Sequence, residues 1–165
     1  MNKTLLILRH AHSTDKLHGQ TDKERELSRE GIRDAIKIGS WIKEQYFAIE
    51  AIVSSTANRT MGTATIIANA IGYNPSDIVQ KDELYHASTR NLISIINELD
   101  DDLTTVLMVG HNPDLSYFAE YVSSSELGSM PTAGLAVIQF NNIKWTQVTK
   151  SSGDLLNFIS PDLLD

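Results

Sequence analysis

Short apolar runs alternate with amphipathic segments along this chain, and the alternation restricts the folds that it can adopt. The runs at 5–8, 49–55 and 104–110 read LLIL, IEAIVSS and TTVLMVG. They have the length and the aliphatic content of buried strands. A stretch with helical periodicity comes after each run. Strands that alternate with amphipathic helices predict an α/β fold, a three-layer sandwich whose mainly parallel sheet has helices on both faces.

Capping residues mark the expected helix ends. The predicted N-caps share a short side-chain oxygen that can accept a hydrogen bond from free backbone N–H groups. They are Ser28, Ser55 or Thr56, Ser88 and Asn112, the last followed by Pro113 at the first helical position. Gly72 is the expected C-cap of the second helix. The core-facing stripe expected on the first helix comprises Ile32, Ala35, Ile36, Gly39, Ile42 and Tyr46.

The C-terminal part predicts antiparallel strands at one edge of the sheet. The segments LAVIQF (135–140) and KWTQVTK (144–150) are separated only by NNI, as in a hairpin. The chain has no internal repeat, low-complexity segment or long linker. We therefore expect one domain over residues 1–165.

Charge and composition exclude several functional classes. The net charge of -7 argues against general binding to nucleic acid or anionic membranes, which needs a basic surface. The absence of cysteine excludes disulfides, thiolate catalysis and cysteine-based zinc sites. No stretch resembles a signal peptide or approaches the roughly 18 apolar residues of a membrane span. We expect a cytoplasmic protein.

Chemically reactive side chains follow three of the predicted strands. Arg9 and His10 end the first run. Arg59 comes four residues after Ser55, which ends the second run, and His111 follows the third. Ligands of such sheets bind beyond the carboxyl ends of the strands. If the three strands are neighbours, two arginines and two histidines converge at one edge.

Together these side chains have the properties needed to bind and transfer phosphate. Taken singly, Arg59 could equally extend into solvent, and His10 could be structural. In combination, the guanidinium forks suit phosphate oxygens, and an anion at a helix start would also meet free backbone N–H groups. His10 can act as a nitrogen nucleophile, and His111 can donate to the phosphate oxygens as charge redistributes. This assembly requires no metal and no cofactor.

The ordered motifs LILRHAHS, VSSTANRT and VGHNP resemble the histidine phosphatase superfamily, also called the phosphoglycerate mutase-like family. The family signature is Arg-His-Gly; here Ala11 stands in place of the glycine. The segments ERELSREGIRDA and ELYHAS extend the resemblance to the small branch typified by SixA phosphohistidine phosphatases. The resemblance implies that His10 is the nucleophile. The residues that it implies for the rest of the phosphate pocket are Arg9, Arg59, His111, Arg25 and Ser13.

The resemblance leaves the leaving-group acid open. Many family members have a glutamate after the middle strand, and His86 occupies that position here, with Glu83 and Asp82 close by. An imidazole leaves phosphorus more readily than an alkoxide because its ring can already carry a proton near neutral pH. The expected substrate is therefore a protein phosphohistidine. The short connections predict an open pocket, which suits a phosphate presented on a protein surface. Such a pocket would also admit a small phosphorylated metabolite or a general phosphomonoester, which is the alternative.

Three other interpretations are compatible with parts of the sequence. The pair His10 and His12 could bind a metal in a hydrolase, although such a site needs three or four ligands. The chain could bind phosphate without turning it over. Mutase activity would need a basic cluster for a second phosphate, which the sequence lacks.

Overall fold

Six strands and four α-helices alternate along the computed structural model, which describes all 165 residues. In chain order they are β1 (Lys3–Arg9), α1 (Arg29–Glu44), β2 (Ala51–Ser54), α2 (Asn58–Ile71), β3 (Val79–Gln80), α3 (Thr89–Asn97), β4 (Thr105–Gly110), α4 (Asp114–Ser123), β5 (Leu135–Phe140) and β6 (Asp154–Ile159). The three apolar runs correspond to β1, β2 and β4.

The strands form one sheet in the order β3-β2-β4-β1-β5-β6. The pairs β2–β3, β2–β4 and β1–β4 are parallel, whereas β5 is antiparallel to both of its neighbours. The predicted mainly parallel sheet with antiparallel pairing near the C-terminus is confirmed. Because β4 lies between β1 and β2, the carboxyl ends of these three strands are adjacent.

Helices cover both faces of the sheet. Leu5 and Ile7 of β1 pack in one core with α3 and α4, whereas Leu6 and Leu8 pack in the other core with α1 and α2. Burial on both faces explains why these strands are continuous apolar runs instead of alternating ones. The predicted three-layer sandwich is confirmed.

The prediction of a C-terminal hairpin over 135–150 was wrong in its second strand. The partner of β5 is β6, at residues 154–159. The segment around Trp145 forms a 3₁₀ turn instead, and the indole Nε1 donates to the Leu103 carbonyl at 2.8 Å. Burying this large indole against α3 and the sheet outweighs the β-propensity of its neighbours.

The stripe predicted for α1 was half wrong. Three of its residues are buried, namely Ala35, Gly39 and Ile42, and three are exposed, namely Ile32, Ile36 and Tyr46. Gly31 and Ile38 are buried in addition. A Cβ on Gly31 would lie 2.0 Å from the carbonyl oxygen of His12, and one on Gly39 would lie 2.8 Å from Cβ of Ala70. Close contacts through two glycines therefore set the rotation of α1.

The predicted capping residues had different outcomes. The Ser28 side chain accepts from the backbone N–H of Gly31, and that of Ser88 accepts from Asn91, as expected of N-caps. The prediction for α2 was wrong, because its N-cap is Ala57 and no side chain caps it. Gly72 ends α2 in the left-handed conformation that favours glycine, with φ of 76°.

Candidate active site

The carboxyl ends of β1, β2 and β4 surround a cavity of about 420 Å³. Of the predicted site residues, including the candidates for the leaving-group acid, seven line this cavity: Arg9, His10, Ser13, Arg25, Arg59, His86 and His111. The expected convergence therefore occurs, because the sheet order makes the three strands neighbours. Further residues at the cavity, which sequence reasoning missed, include Asp15, Tyr85 and Asp114.

His10 has the ring orientation of a nitrogen nucleophile. Its Nδ1 donates to the backbone carbonyl of Ala11 at 2.7 Å. A carbonyl can only accept, so the proton is on Nδ1 and the lone pair of Nε2 is free. The ring is 8% exposed, and burial, reinforced by the charges of Arg59 and Arg9, lowers the pKa of His10 to about 4. The neutral, nucleophilic form is thus the stable one at pH 7.

His111 lies beside His10, with the two ring centroids 5.3 Å apart. Its Nε2 shares a hydrogen bond with Ser55 Oγ at 2.8 Å. Ser55 follows β2 and was expected to cap α2; it orients this imidazole instead. Burial, and then the proximity of His10, lower the pKa of His111 to about 3. His111 can therefore interact with a phosphate oxygen as a neutral hydrogen-bonding group.

Arg9 retains hydrogen-bonding capacity at the cavity. Its Nη1 donates to the Met130 carbonyl at 2.8 Å, which fixes the guanidinium group. Its Nε is buried and has no partner in the structure. The guanidinium group of Arg9 is thus held at the cavity by its hydrogen bond with Met130.

Asp22 connects the two other arginines of the cavity. Arg59 donates to its carbonyl oxygen at 2.8 Å and to its Oδ2 at 2.9 Å, and Arg25 donates to its Oδ1 at 3.0 Å. The Tyr85 hydroxyl also donates to Oδ2. These hydrogen bonds, above all the one from Tyr85, hold the pKa of Asp22 far below its usual value. The carboxylate is therefore ionised and fixes both guanidinium groups.

Sequence reasoning missed Asp22 because it lies in a long polar loop with many other charged residues. The one available signal was its spacing of three residues from Arg25, with which it forms an ion pair. Arg25 also donates to Ser13 Oγ at 2.9 Å. The loop thus presents Arg25 and Ser13 to the cavity together.

The three residues considered for the leaving-group acid occupy different places. His86 is exposed at the cavity, its ring centroid 4.2 Å from that of Tyr85. Glu83 is exposed and lies outside the residues that line the cavity, because the 3₁₀ turn Asp82–Leu84 buries Leu84 and turns Glu83 away. Asp82 accepts hydrogen bonds from Lys23 at 3.0 Å and Thr56 at 2.6 Å, also outside the cavity.

Two further geometric findings concern metals and membranes. No group of three or more His, Asp or Glu side chains is arranged to hold a metal ion. His12 shares a hydrogen bond with Ser28 Oγ at 2.7 Å, so its Nδ1 is already used. None of the helices has the length and apolar character needed to cross a membrane.

Comparison with known families matches residues 5–86 to the histidine phosphatase superfamily, branch 1. An uncharacterized protein of Mycobacterium tuberculosis is 31% identical over 166 residues, covering 93% of this chain and 99% of that protein.

Solved structures share the fold over nearly the whole chain. One from Agrobacterium tumefaciens, provisionally named phosphohistidine phosphatase SixA, is 28% identical with a TM-score of 0.80 and covers 96% of this chain and 98% of its own. A protein histidine phosphatase SixA complexed with tungstate has a TM-score of 0.79 and covers 98% of this chain and 99% of its own. Its 20% identity supports likeness of fold alone.

Proposed function

The chain belongs to the histidine phosphatase superfamily, and from this premise we propose that it removes phosphate from phosphohistidine in a protein by way of a covalent intermediate on His10. The observation that carries the proposal is the tautomer of His10. Its Nδ1–H is held by the Ala11 carbonyl, and its free Nε2 belongs to a cavity with three guanidinium groups. A neutral nucleophile among fixed cations suits a phosphate ester or phosphoramidate.

The first step transfers the phosphoryl group to the enzyme. Arg9, Arg25 and Arg59 bind the phosphate oxygens, and Nε2 of His10 attacks phosphorus. The bond between phosphorus and the substrate nitrogen breaks, and its electron pair goes to the leaving imidazole. That ring can already be protonated near neutral pH, which makes it a good leaving group.

The second step releases phosphate. A water molecule attacks phosphorus, the bond to Nε2 breaks, and its electron pair returns to the imidazole of His10. Donors that are fixed in advance stabilise the charge on the transferring group without having to reorient. Asp22 provides this fixation for Arg25 and Arg59, and Ser55 provides it for His111.

Two observations support a protein substrate. The chain is similar over 96% of its length to a structure provisionally named phosphohistidine phosphatase SixA. The connections after β2 and β4 are short, so that neither of them places an inserted segment across the cavity. A histidine on a protein surface could therefore reach Nε2 of His10.

The test is a comparison of His10→Ala with the wild type on a phosphohistidine peptide and on p-nitrophenyl phosphate, with chelator present. We expect faster hydrolysis of the phosphohistidine peptide by the wild type, and at least a 1000-fold loss in His10→Ala because the nucleophile is removed. His18→Ala is the matched control, since His18 is exposed and outside the cavity. Near-normal turnover by His10→Ala would overturn the proposal.

The same assay separates two other functions. Faster hydrolysis of the aryl ester would identify a general or small-metabolite phosphatase, for which the cavity of about 420 Å³ offers space. Binding of phosphate without turnover of either compound would identify a non-catalytic phosphate-binding protein.

A further inference from the structure

The carboxyl groups in and around the cavity differ in their hydrogen-bond partners and in their access to the cavity. They are Asp15, Asp22, Asp82, Glu83 and Asp114. A leaving-group acid must carry a proton, reach the cavity and have a fixed position. Asp22 is ionised by its hydrogen bonds with Tyr85 and two arginines. Asp82 and Glu83 lie outside the cavity, and Asp15 is exposed on a loop.

Asp114 meets the requirements of access to the cavity and of a fixed position. It lines the cavity together with His10 and His111, and it is half-buried. It is the first residue of α4, which packs in the core through Leu115 and Phe118, so that its backbone is fixed. The backbone N–H of Ala87 lies near its carboxyl group and acts to lower its pKa.

The surroundings of Asp114 shift its pKa upward, which is the direction that a proton donor needs. Burial raises the pKa of Asp114 above its usual value, although His86 and the Ala87 N–H act in the opposite direction. A bound phosphate dianion would raise this pKa further, because two negative charges in one cavity repel each other.

We propose that Asp114 is the leaving-group acid of the phosphatase, which rests on the function proposed above and gives the enzyme a second substrate class, unactivated phosphomonoesters. As Nε2 of His10 bonds to phosphorus, the bond to the leaving oxygen breaks and that oxygen takes the proton of the Asp114 carboxyl group. In the second step the attacking water returns a proton to the Asp114 carboxylate, and inorganic phosphate leaves from Nε2.

The test compares substrates whose leaving groups differ in how much they need a proton. Single-turnover release of phenol from phenyl phosphate and of nitrophenol from p-nitrophenyl phosphate is compared in the wild type and Asp114→Asn. We expect a loss of about 100-fold or more with phenyl phosphate. The expected loss with p-nitrophenyl phosphate and with a phosphohistidine peptide is below about tenfold, since these leaving groups need little assistance. Asp114→Glu should recover part of the loss.

Matched controls show whether the selective loss of activity is specific to Asp114. Glu83→Gln removes a carboxylate outside the cavity and should leave both rates unchanged. Unchanged inhibition of Asp114→Asn by orthovanadate would show that the phosphate pocket is intact. Equal losses on both esters, no loss on either, or a selective loss in His86→Gln instead of Asp114→Asn would overturn the inference.

The experiment also distinguishes the two proposals. If the wild type fails on the phosphohistidine peptide while the esters show the selective loss, the proposed substrate is wrong and the role of Asp114 is supported. If the peptide is hydrolysed and the selective loss is absent, the proposed function stands and the inference fails. No turnover of any probe by the wild type would overturn both.

Discussion

At neutral pH His10 is uncharged and Asp22 is ionised, although both lie among the same guanidinium groups. Nearby cations disfavour a charged imidazole and favour a charged carboxylate, so they lower both pKa values. Burial is the larger cause for His10, and the Tyr85 hydrogen bond is the largest cause for Asp22. The cations therefore reinforce the neutral state of His10 and the ionised state of Asp22.

Asp22→Asn should separate the positioning of the two guanidinium groups from the binding of phosphate. The variant keeps the shape of the side chain but loses the charge that holds Arg25 and Arg59. We expect kcat to fall at least about tenfold because the guanidinium groups are no longer fixed, whereas inhibition by inorganic phosphate should not weaken, since a negative charge has been removed. Steady-state kinetics with phosphate as inhibitor would check this. An unchanged kcat would contradict it.

The lowered pKa of Asp22 also predicts how the stability of the fold depends on pH. The pKa of Asp22 is lower in the folded protein than its unfolded value near 3.9, so the ionised group stabilises the fold above about pH 4. This contribution is lost as the pH falls through the folded-state pKa. The difference in Tm between the wild type and Asp22→Asn should be constant from pH 8 to 6 and should shrink toward pH 3.

A matched control accompanies this measurement. Asp102 is exposed, and its carboxylate accepts no hydrogen bond in the structure. Asp102→Asn should leave Tm nearly unchanged throughout the range. A difference for Asp22→Asn that is the same at pH 3 and pH 7 would show that its hydrogen bonds do not stabilise the carboxylate.

At the scale of elements, the loop between β1 and α1 is joined to the start of α1 by a close backbone contact. The Cβ of an alanine at position 31 would lie 2.0 Å from the carbonyl oxygen of His12. Ser28 strengthens the same junction, because its backbone N–H also donates to that oxygen at 3.0 Å. The first residues after His10 are therefore held against the start of α1.

Gly31→Ala should destabilise the protein although alanine is the better helix former. Helix propensity alone would stabilise the variant by about 1 kcal/mol. The contact with the His12 carbonyl must be relieved by movement of the loop, and we expect a net loss of about 2 kcal/mol or more. Denaturant unfolding would measure it. Ser40→Ala, at an exposed position of the same helix, is the control and should change stability by less than about 0.5 kcal/mol. A stabilised Gly31→Ala would contradict the close contact.

For the whole molecule, the two helical layers share a single sheet. The chain has two tryptophans, and they lie on opposite faces: Trp145 is fully buried with α3 and α4, and Trp41 packs against the core formed with α1 and α2. Each strand of the centre contributes side chains to both cores. The layers should therefore unfold together, as expected of one domain.

Two single-tryptophan variants test this cooperativity. In Trp41→Phe the fluorescence reports on one layer, and in Trp145→Phe it reports on the other. Within each variant, fluorescence and circular dichroism should give the same denaturant midpoint, because a two-state domain has coincident transitions. Separated midpoints in both variants would show that the layers unfold independently and that residues 1–165 are not one cooperative unit.

The sequence by itself determined the architecture and the central cluster. Apolar runs specify buried strands locally, and the alternation with helices restricts the sheet to a mainly parallel one. Parallel strands end at the same edge, so Arg9, His10, Arg59 and His111 could be placed together before their distances were known. The family motifs then brought Arg25 and Ser13 into the same cluster.

Only the tertiary structure decided what surrounds and orients these side chains. The hydrogen bonds of Asp22 with Arg59 and Tyr85 join residues that are 37 and 63 positions apart, and no local pattern encodes them. The turn at Trp145 and the rotation of α1 likewise depend on burial and backbone contact across distant segments. Local sequence encodes periodicity and chain direction; hydrogen-bond partners, desolvation and protonation arise when separate segments meet.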